Sequence, residues 1–186
     1  MSAELVFMLE EPSMKAFLES LLPRLLPGST NFTLIPHEGK SDLEASLPRK
    51  LKAWRRPEAK FVVVRDQDAA DCKAVKARLL GIVEAAGHDA TVVRIACREL
   101  EAWILGDLEA VARAFDKPQI AHLATKQKYR NPDRLGSPSG ELRNLLGKYS
   151  KIAGARSVGS HIDIGRNCSK SFQVFVAAVQ RLAETD

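Results

Sequence analysis

The sequence has few of the residues that build thiol or imidazole metal sites, and it has no long apolar run. Its three cysteines, Cys72, Cys97 and Cys168, are far apart, and its four histidines are scattered. These spacings do not match a zinc site, and the odd number of cysteines favours free thiols in a reducing cytosol. The first apolar run, Leu5–Leu9, is too short for a signal peptide and lacks a basic flank, and no run approaches bilayer length. We therefore predict a cytoplasmic protein with no membrane segment.

Three familiar functional motifs also find little or no support in the sequence. Gly39-Lys40-Ser41 looks like the end of a phosphate-binding loop, but that motif needs a glycine five positions earlier, where Leu34 stands. The sequence gives less support for a Ser-His-Asp or a Cys-His arrangement than for a site built from carboxylates. The candidates for chemistry that remain are carboxylates.

Length and composition are those of an ordinary globular protein with one basic region. The 186 residues are 45% hydrophobic and 27% charged, which is enough for a substantial core. We expect an α/β core over residues 1–115, with a basic, loop-rich segment and a C-terminal helix (116–186) packed on it as a single domain.

The positive charge is concentrated in one segment. Lys117–Arg156 holds nine Lys or Arg against two acidic residues, so the excess of basic residues in this segment is larger than the net charge of the whole chain, +5. Such a run is often only a solvated face, but beside carboxylates it suits the approach of a polyanion.

Four short apolar runs predict buried strands, and three of them lead into acidic residues. The runs are Leu5–Leu9, Phe32–Ile35, Phe61–Val64 and Ala90–Cys97. The third has no polar alternation, as in a strand covered on both faces, and Asp66 and Asp68 follow it. Glu10 follows the first run, and Glu101 comes shortly after the fourth. A simpler interpretation of the acidic residues after the third run is a solvated loop whose Asp71 caps the next helix.

Helical periodicity separates and follows these strands. A helix opens at Pro12-Ser13 and should be kinked or shortened by Pro23, and Pro48 suggests that the next one is regular only from about Ser46. Further helices are expected after Asp71, around Leu100, after Asp107, over Glu141–Leu146, and after a cap at Ser169 or Ser171. Trp103 is expected in the core, and His37 is expected at the surface.

Alternation of strands and helices implies a parallel, right-handed α/β sheet of about four strands. The acidic residues after strands one, three and four then meet at one edge, where open α/β sheets bind ligands. Glu10 (or Glu11), Asp66, Asp68 and Glu101 would hold one or two Mg²⁺ or Mn²⁺ ions, which suit hard oxygen ligands and phosphoryl chemistry. Arg65, Arg98 or a lysine of the basic segment could bind the phosphate.

A glutamate after strand one and an Asp-x-Asp after strand three resemble the Toprim domain, the metal-binding fold of topoisomerases, bacterial primases and overcoming-lysogenization-defect (OLD) nucleases. Five longer stretches of the sequence resemble one particular Toprim-like family. They are F-M-L-E-E-P-S (7–13), I-P-H-E-G-K-S-D-L (35–43), V-V-R-D-Q-D-A-A-D-C (63–72), A-C-R-E-L-E-A-W-I-L-G-D (96–107) and R-N-C-S-K-S-F (166–172). Over essentially the whole chain, the sequence resembles a Toprim-like family, domain-of-unknown-function family 4276.

The resemblance implies a Toprim-like (Rossmannoid) fold and a role for each acidic residue. It makes Glu10 the Toprim glutamate, Asp66 and Asp68 the aspartate pair, and Glu101 the acidic residue of an R-x-x-E-x-W segment, all as metal ligands and catalytic residues. Toprim enzymes usually have glycine directly after the glutamate, whereas here Glu11 and Pro12 follow. The candidates for nucleic-acid or phosphate binding are Arg65, Arg98, Lys126, Lys128, Arg130 and Lys170.

The resemblance also implies a metal-dependent nuclease, the effector of a bacterial anti-phage defence pair with an ABC- or SMC-like ATPase. DNA is favoured over RNA as substrate, no membrane partner is expected, and a homo-oligomer is left open. The alternatives are a non-catalytic, Toprim-shaped subunit that binds nucleic acid or a partner, and other phosphoryl transfer on nucleotides.

Overall fold

A four-stranded parallel β-sheet forms the centre of the protein. The structure, a computed structural model, describes residues 4–184. The strands are β1 (Glu4–Leu9), β2 (Asn31–Pro36), β3 (Lys60–Asp66) and β4 (Val92–Ala96), and their order in the sheet is β2-β1-β3-β4. All neighbours pair in parallel, with Leu9 opposite Val64 and Asp66 opposite Ala96. The predicted α/β fold is confirmed, and the carboxyl ends of β1, β3 and β4 lie side by side.

Helices cover both faces of the sheet. Those of the described chain are α1 (Pro12–Leu25), α2 (Lys40–Ala53), α3 (Cys72–Ala85), α4 (Leu100–Leu105), α5 (Leu108–Ala114), α6 (Pro138–Leu146), α7 (Lys151–Gly159) and α8 (Lys170–Glu184). Short 3-10 helices span Pro118–Thr125, Gln127–Tyr129 and Pro132–Arg134. Between residues 4 and 184, no helix combines the length and apolarity needed to cross a bilayer.

Side chains alternate along each central strand and so build a core on each face. From β1, Leu5, Phe7 and Leu9 join the core under α1, α4, α5, α7 and α8. Val6 and Met8 join the core under α2 and α3. The first core includes Trp103, which is fully buried as predicted.

Polar side chains begin three of the helices where the sequence predicts caps. Asp71 and Asp107 accept hydrogen bonds from the backbone N–H three residues later, at 2.8 and 3.2 Å. Of the two serines considered for α8, Ser169 is the cap, because its Oγ accepts the N–H of Phe172 at 3.2 Å. Ser171 instead contacts the indole of Trp103. Local sequence therefore fixes where α3, α5 and α8 begin.

The effect of the helix prolines was predicted only in part. Pro23 lies in the last turn of α1, which extends two residues beyond it. The expectation that α2 becomes regular only near Ser46 was wrong, because α2 begins eight residues before Pro48. An internal proline removes one helical hydrogen bond. Burial of one face of α2 opposes that loss, through Leu43, Leu47 and Leu51.

The basic segment contains more regular helix than its weak periodicity suggests. Residues 141–146 lie in α6 as predicted, and a second helix, α7, spans Lys151–Gly159 in the segment that was expected to be rich in loops. α7 packs closely on α1, since a Cβ at Gly159 would lie 2.6 Å from the carbonyl oxygen of Phe17. The guanidinium of Arg24 donates to backbone carbonyls at the end of α7, including that of Gly159 at 3.2 Å. This docking brings the start of α7 to the carboxyl edge of the sheet.

Candidate functional site

Glu10 joins the ends of the two central strands. Its backbone N–H donates to the carbonyl of Val64 at 3.1 Å, which extends the β1–β3 ladder by one residue. Its Oε2 accepts the backbone N–H of Asp66 at 2.9 Å and lies 3.8 Å from Nε of Arg65. Burial raises the pKa of this carboxyl, and the charge of Asp68 adds to the rise. Glu10 is thus fixed at the sheet edge, in the electrostatic field of other carboxylates.

Asp66 ends β3 and is 4% exposed. Its Oδ1 is buried and has no hydrogen-bond partner. Burial raises the pKa of Asp66 well above its ordinary value, and the charges of Glu10 and Glu101 raise it further. Asp66 is therefore a nearly unsolvated carboxyl that needs a positive charge beside it.

Glu101 approaches from α4, which follows β4. It is fully buried, its Oε2 has no hydrogen-bond partner, and its Oε1 accepts the hydroxyl of Tyr149 at 3.4 Å. Burial raises the pKa of Glu101, and the charge of Lys151 partly opposes that rise. An unpaired, fully buried carboxylate is costly in a protein interior, so this position calls for a ligand or a proton.

Asp68 occupies the rim of the site rather than its floor. Its backbone has a positive φ of 57°, its side chain is 41% exposed, and its Oδ2 lies 3.2 Å from Nζ of Lys40. Its N–H donates to the carbonyl of Arg98, which ties the loop after β3 to the loop after β4 at 2.8 Å. Glu10, Asp66, Asp68 and Glu101 are thus all brought to one edge, with three buried and one at the surface.

Lys151 enters this carboxylate cluster (Glu10, Glu11, Asp66, Asp68 and Glu101) and was not singled out from the sequence. It is the first residue of α7, and its Nζ lies 3.4 Å from Oε1 of Glu11. Burial opposes its charged form, but the carboxylates of Glu101 and Glu11 outweigh this and raise the pKa of the ammonium. In the sequence it is one of nine basic residues in a segment without clear periodicity, so only the tertiary packing of α7 distinguishes it.

The predicted phosphate-binding residues lie in different places. Arg65 is buried, with Nη1 at 2.5 Å from Oε1 of Glu44, so it supports the strand end from beneath. Arg98 has a positive φ of 64°, and its backbone is tied to the Asp68 loop beside the cluster. Within residues 4–184, the remaining four form no hydrogen bond or ion pair with the cluster; they are Lys126, Lys128, Arg130 and Lys170.

His37 supports the same edge from inside the protein, although a surface position was expected. It is 2% exposed, and its two ring nitrogens lie 2.8 Å from the carbonyl of Leu9 and 2.8 Å from Nζ of Lys50. Because an ammonium can only donate, Nε2 accepts from Lys50 and Nδ1–H donates to Leu9. Burial lowers the pKa of this imidazole. A neutral His37 thus anchors the loop after β2 to the end of β1.

The donor set fits a hard divalent cation. Two buried carboxylate oxygens, on Asp66 and Glu101, have no partner, and carboxylate oxygens are the ligands that Mg²⁺ and Mn²⁺ prefer. With the side chains as they stand, no group of three or more His, Cys, Asp or Glu residues in the described part of the chain is placed so that it could hold a metal ion. Binding therefore requires side-chain adjustment, which the exposed Asp68 and the flexible arm of Lys151 allow.

Comparisons with known proteins agree with this fold. No curated protein matches the chain significantly. Among solved structures, the chain resembles the C-terminal region of the Burkholderia pseudomallei OLD protein, with 14% identity, a TM-score of 0.54, and coverage of 98% of this chain and 99% of that one. A similarity at this low sequence identity shows that the two proteins share a fold, and it confirms the predicted Toprim-like architecture. The family model "Domain of unknown function (DUF4276)" matches residues 9–180, and the chain therefore belongs to that family.

Proposed function

We propose that this protein is a divalent-metal-dependent nuclease that hydrolyses phosphodiester bonds of nucleic acid. The observation that carries the proposal is the pair of unpartnered, buried carboxylate oxygens on Asp66, at the end of β3, and on Glu101, in the helix that follows β4. Without a cation, such oxygens cost stability and bring no hydrogen bond in return. A structural role alone would not need them.

Each residue of the cluster has a distinct part in the proposed reaction. Asp66 and Glu101 would hold the cation at the floor, Glu10 would complete the shell from β1, and Asp68 would do so from the rim. When bound, Mg²⁺ or Mn²⁺ stabilises charge on the phosphate and lowers the pKa of a bound water. The protein's own contribution is a fixed, largely dehydrated edge that holds these oxygens together.

Lys151 supplies positive charge to the cluster in the absence of metal, on the side of Glu11 and Glu101. Its ammonium neutralises Glu11 and lowers the pKa of Glu101 and Asp66. With a divalent cation held by the carboxylates, the ammonium of Lys151 would be available to bind a phosphoryl oxygen. Arg98, on the adjoining loop, would hold the nucleic-acid backbone, and Lys126, Lys128, Arg130 and Lys170 would contact it further away.

The substrate and partner follow from charge and from resemblance. The excess of basic residues in 117–156 suits a polyanion, and DNA is our first choice because the Toprim proteins that the sequence resembles include topoisomerases and OLD nucleases. The same resemblance supports an ABC- or SMC-like ATPase partner in an anti-phage defence pair. A partner of that kind would control access to the cluster.

A second candidate is a non-catalytic subunit of such a complex. Glu11 stands directly after Glu10, where Toprim enzymes usually have glycine, and Pro12 follows as the first residue of α1. Lys151 already pairs with Glu11. These features would restrict the approach of a substrate backbone.

A cleavage assay separates the two candidates. Single- and double-stranded DNA and RNA are incubated with Mg²⁺ or Mn²⁺ and with wild type, Asp66→Asn or Glu10→Gln, and Glu58→Gln serves as a control on an exposed loop. A nuclease cleaves only with metal, loses cleavage in both cluster variants and keeps it in the control. Silence from folded wild type, with and without a candidate ATPase, would favour the non-catalytic subunit.

A further inference from the structure

A concave surface lies beside the carboxylate cluster, between the end of α5 and the loop from α6 to α7. We call it the α6–α7 pocket; its wall includes Phe115, Arg143, Lys148 and Tyr149, with Ser150 and Gly154 at the start of α7. Its volume is about 680 Å³, within the ~300–1,000 Å³ typical of ligand sites. Arg143 and Lys148 have no part in the roles assigned above.

One loop forms the boundary between this pocket and the cluster. Tyr149 lines the pocket, and its hydroxyl donates to Oε1 of Glu101 at 3.4 Å. Two residues later, Lys151 reaches Glu11. The ring of Tyr149 packs on α7, because a Cβ at Gly154 would lie only 2.3 Å from a ring carbon. A group bound in the pocket would therefore lie next to whatever the carboxylates hold.

The pocket carries positive charge that the protein itself does not neutralise. Arg143 and Lys148 are both exposed, and within residues 4–184 neither is paired with an acidic residue. Lys128, by contrast, is 2.6 Å from Oε2 of Glu141. Unpaired cations on a concave surface concentrate the field and attract anions, and a guanidinium fits phosphate oxygens in a bidentate manner.

Aromatic side chains complete the wall. The rings of Phe115 and Tyr149 have centroids 6.5 Å apart and are tilted by 59°. Aromatic side chains bind bases by stacking without strong sequence preference, and they act together with cations in proteins that bind single strands. Aromatic surface combined with unpaired cations fits a nucleotide better than it fits an inorganic anion or an apolar ligand.

We propose that the α6–α7 pocket binds one nucleotide of a single-stranded nucleic acid, adjacent to the phosphodiester at the carboxylate cluster. Arg143 and Lys148 bind its phosphate, and Phe115 and Tyr149 contact its base. This inference rests on the proposed function, because it assumes that the carboxylate cluster cleaves the strand whose nucleotide the pocket binds. It also restricts the substrate to single-stranded nucleic acid, because a base paired in a duplex cannot enter the pocket.

Binding is measured apart from cleavage, with the full chain in EDTA. The probe is a fluorescein-labelled thymidine strand of about ten nucleotides, a length within the site sizes of single-strand binders. The variant Arg143→Ala/Lys148→Ala is compared with Arg49→Ala/Lys52→Ala, which removes the same charge from exposed positions on α2. We expect about tenfold weaker binding for the pocket variant and a change within about twofold for the control. Equal losses in both, or none in either, would overturn the proposal.

Two further measurements test the base contact. Phe115→Leu keeps an apolar side chain but removes the ring, and we expect binding of the thymidine strand to weaken about threefold or more. The same sequence as a blunt duplex should bind more weakly than the single strand. Unchanged binding by Phe115→Leu, or tighter binding of the duplex, would contradict a nucleotide pocket.

Failure of the pocket and failure of the nuclease give different results. If wild type binds the strand through the pocket but does not cleave it with Mg²⁺ or Mn²⁺, the pocket stands and the proposed activity does not. If wild type cleaves while the pocket variants bind and cleave as wild type does, the activity stands and the pocket proposal is refuted. Thermal unfolding of every variant checks that the differences are not caused by misfolding.

Discussion

Replacing Asp66 by asparagine should stabilise the metal-free protein. Asn has nearly the same shape but no charge, and Oδ1 of Asp66 has no hydrogen bond to lose. The backbone N–H of this residue would still donate to Glu10. The substitution removes a buried charge that Glu10 and Glu101 repel, and relief of such a desolvation penalty is worth about 1–3 kcal/mol. For a chain of this length, that corresponds to an increase of roughly 2 to 12 °C in Tm.

The pH dependence of this effect has a definite sign. A carboxyl whose pKa is raised on folding binds more protons in the folded state than in the unfolded state, and Asp66 is such a group. The free energy of unfolding of wild type therefore falls as pH rises from about 4 through the folded-state pKa of Asp66, and it stays low above that. The advantage of Asp66→Asn is thus small at low pH and full at high pH.

Metal should reverse the order of stability. At Mg²⁺ concentrations near a thousand times its Kd, wild type gains about 4.1 kcal/mol, which exceeds the advantage of Asp66→Asn in EDTA, whereas Asp66→Asn itself gains little. Urea unfolding at pH 5 and pH 8, with EDTA or Mg²⁺, measures all four conditions, and Glu58→Gln controls for removal of a surface carboxylate. An Asp66→Asn protein that is less stable than wild type at pH 8 in EDTA would refute the reasoning.

Three other predictions concern the elements around the site. Lys151→Met should abolish metal-dependent cleavage while the fold is retained, because the ammonium that pairs with Glu11 is lost. Lys151→Arg keeps a positive charge and should retain part of the activity. Full activity of Lys151→Met in a single-turnover assay would contradict this role. Gly159→Ala should lower the free energy of unfolding by about 1–3 kcal/mol, because the added Cβ would lie 2.6 Å from the carbonyl oxygen of Phe17. Gly81→Ala on α3 should raise it, because a Cβ there would meet no atom within 4 Å. Equal urea midpoints for the two variants would count against tight docking of α7 on α1. Burial lowers the pKa of His37, so the unfolded state binds the proton more readily than the folded state does. The free energy of unfolding should therefore fall as pH decreases below about 6.5. A pKa of His37 at or above about 6.5, measured by NMR titration of the folded protein, would be inconsistent with its burial.

Patterns that are local in sequence predicted much of the fold. The runs before Glu10 and Asp66 have no polar alternation, and both became central strands with two covered faces. Asp107 and Ser169 mark helix starts through hydrogen bonds that span three residues. The convergence of acidic residues followed from topology, since parallel strands share a carboxyl edge.

Features that depend on distant contacts were not visible in the sequence. Lys151 belongs to the cluster only because α7 docks on α1, and no spacing near it indicates this. His37 is buried because its imidazole connects β1 to α2, although its neighbours in sequence suggest a loop. Arg65, expected to face phosphate, instead pairs with Glu44 on α2. Burial and pairing of charged side chains are set by tertiary packing, which the sequence pattern does not report.

Titration of Mn²⁺ into the metal-free protein, followed by calorimetry, tests the central claim most directly and needs neither substrate nor partner. Wild type should bind Mn²⁺ and release protons, because carboxyls with raised pKa must ionise to coordinate it. Asp66→Asn and Glu101→Gln should each bind far more weakly, and Glu58→Gln should bind as wild type does. Absence of binding to folded wild type, or equal binding by all four proteins, would contradict a metal site at this edge.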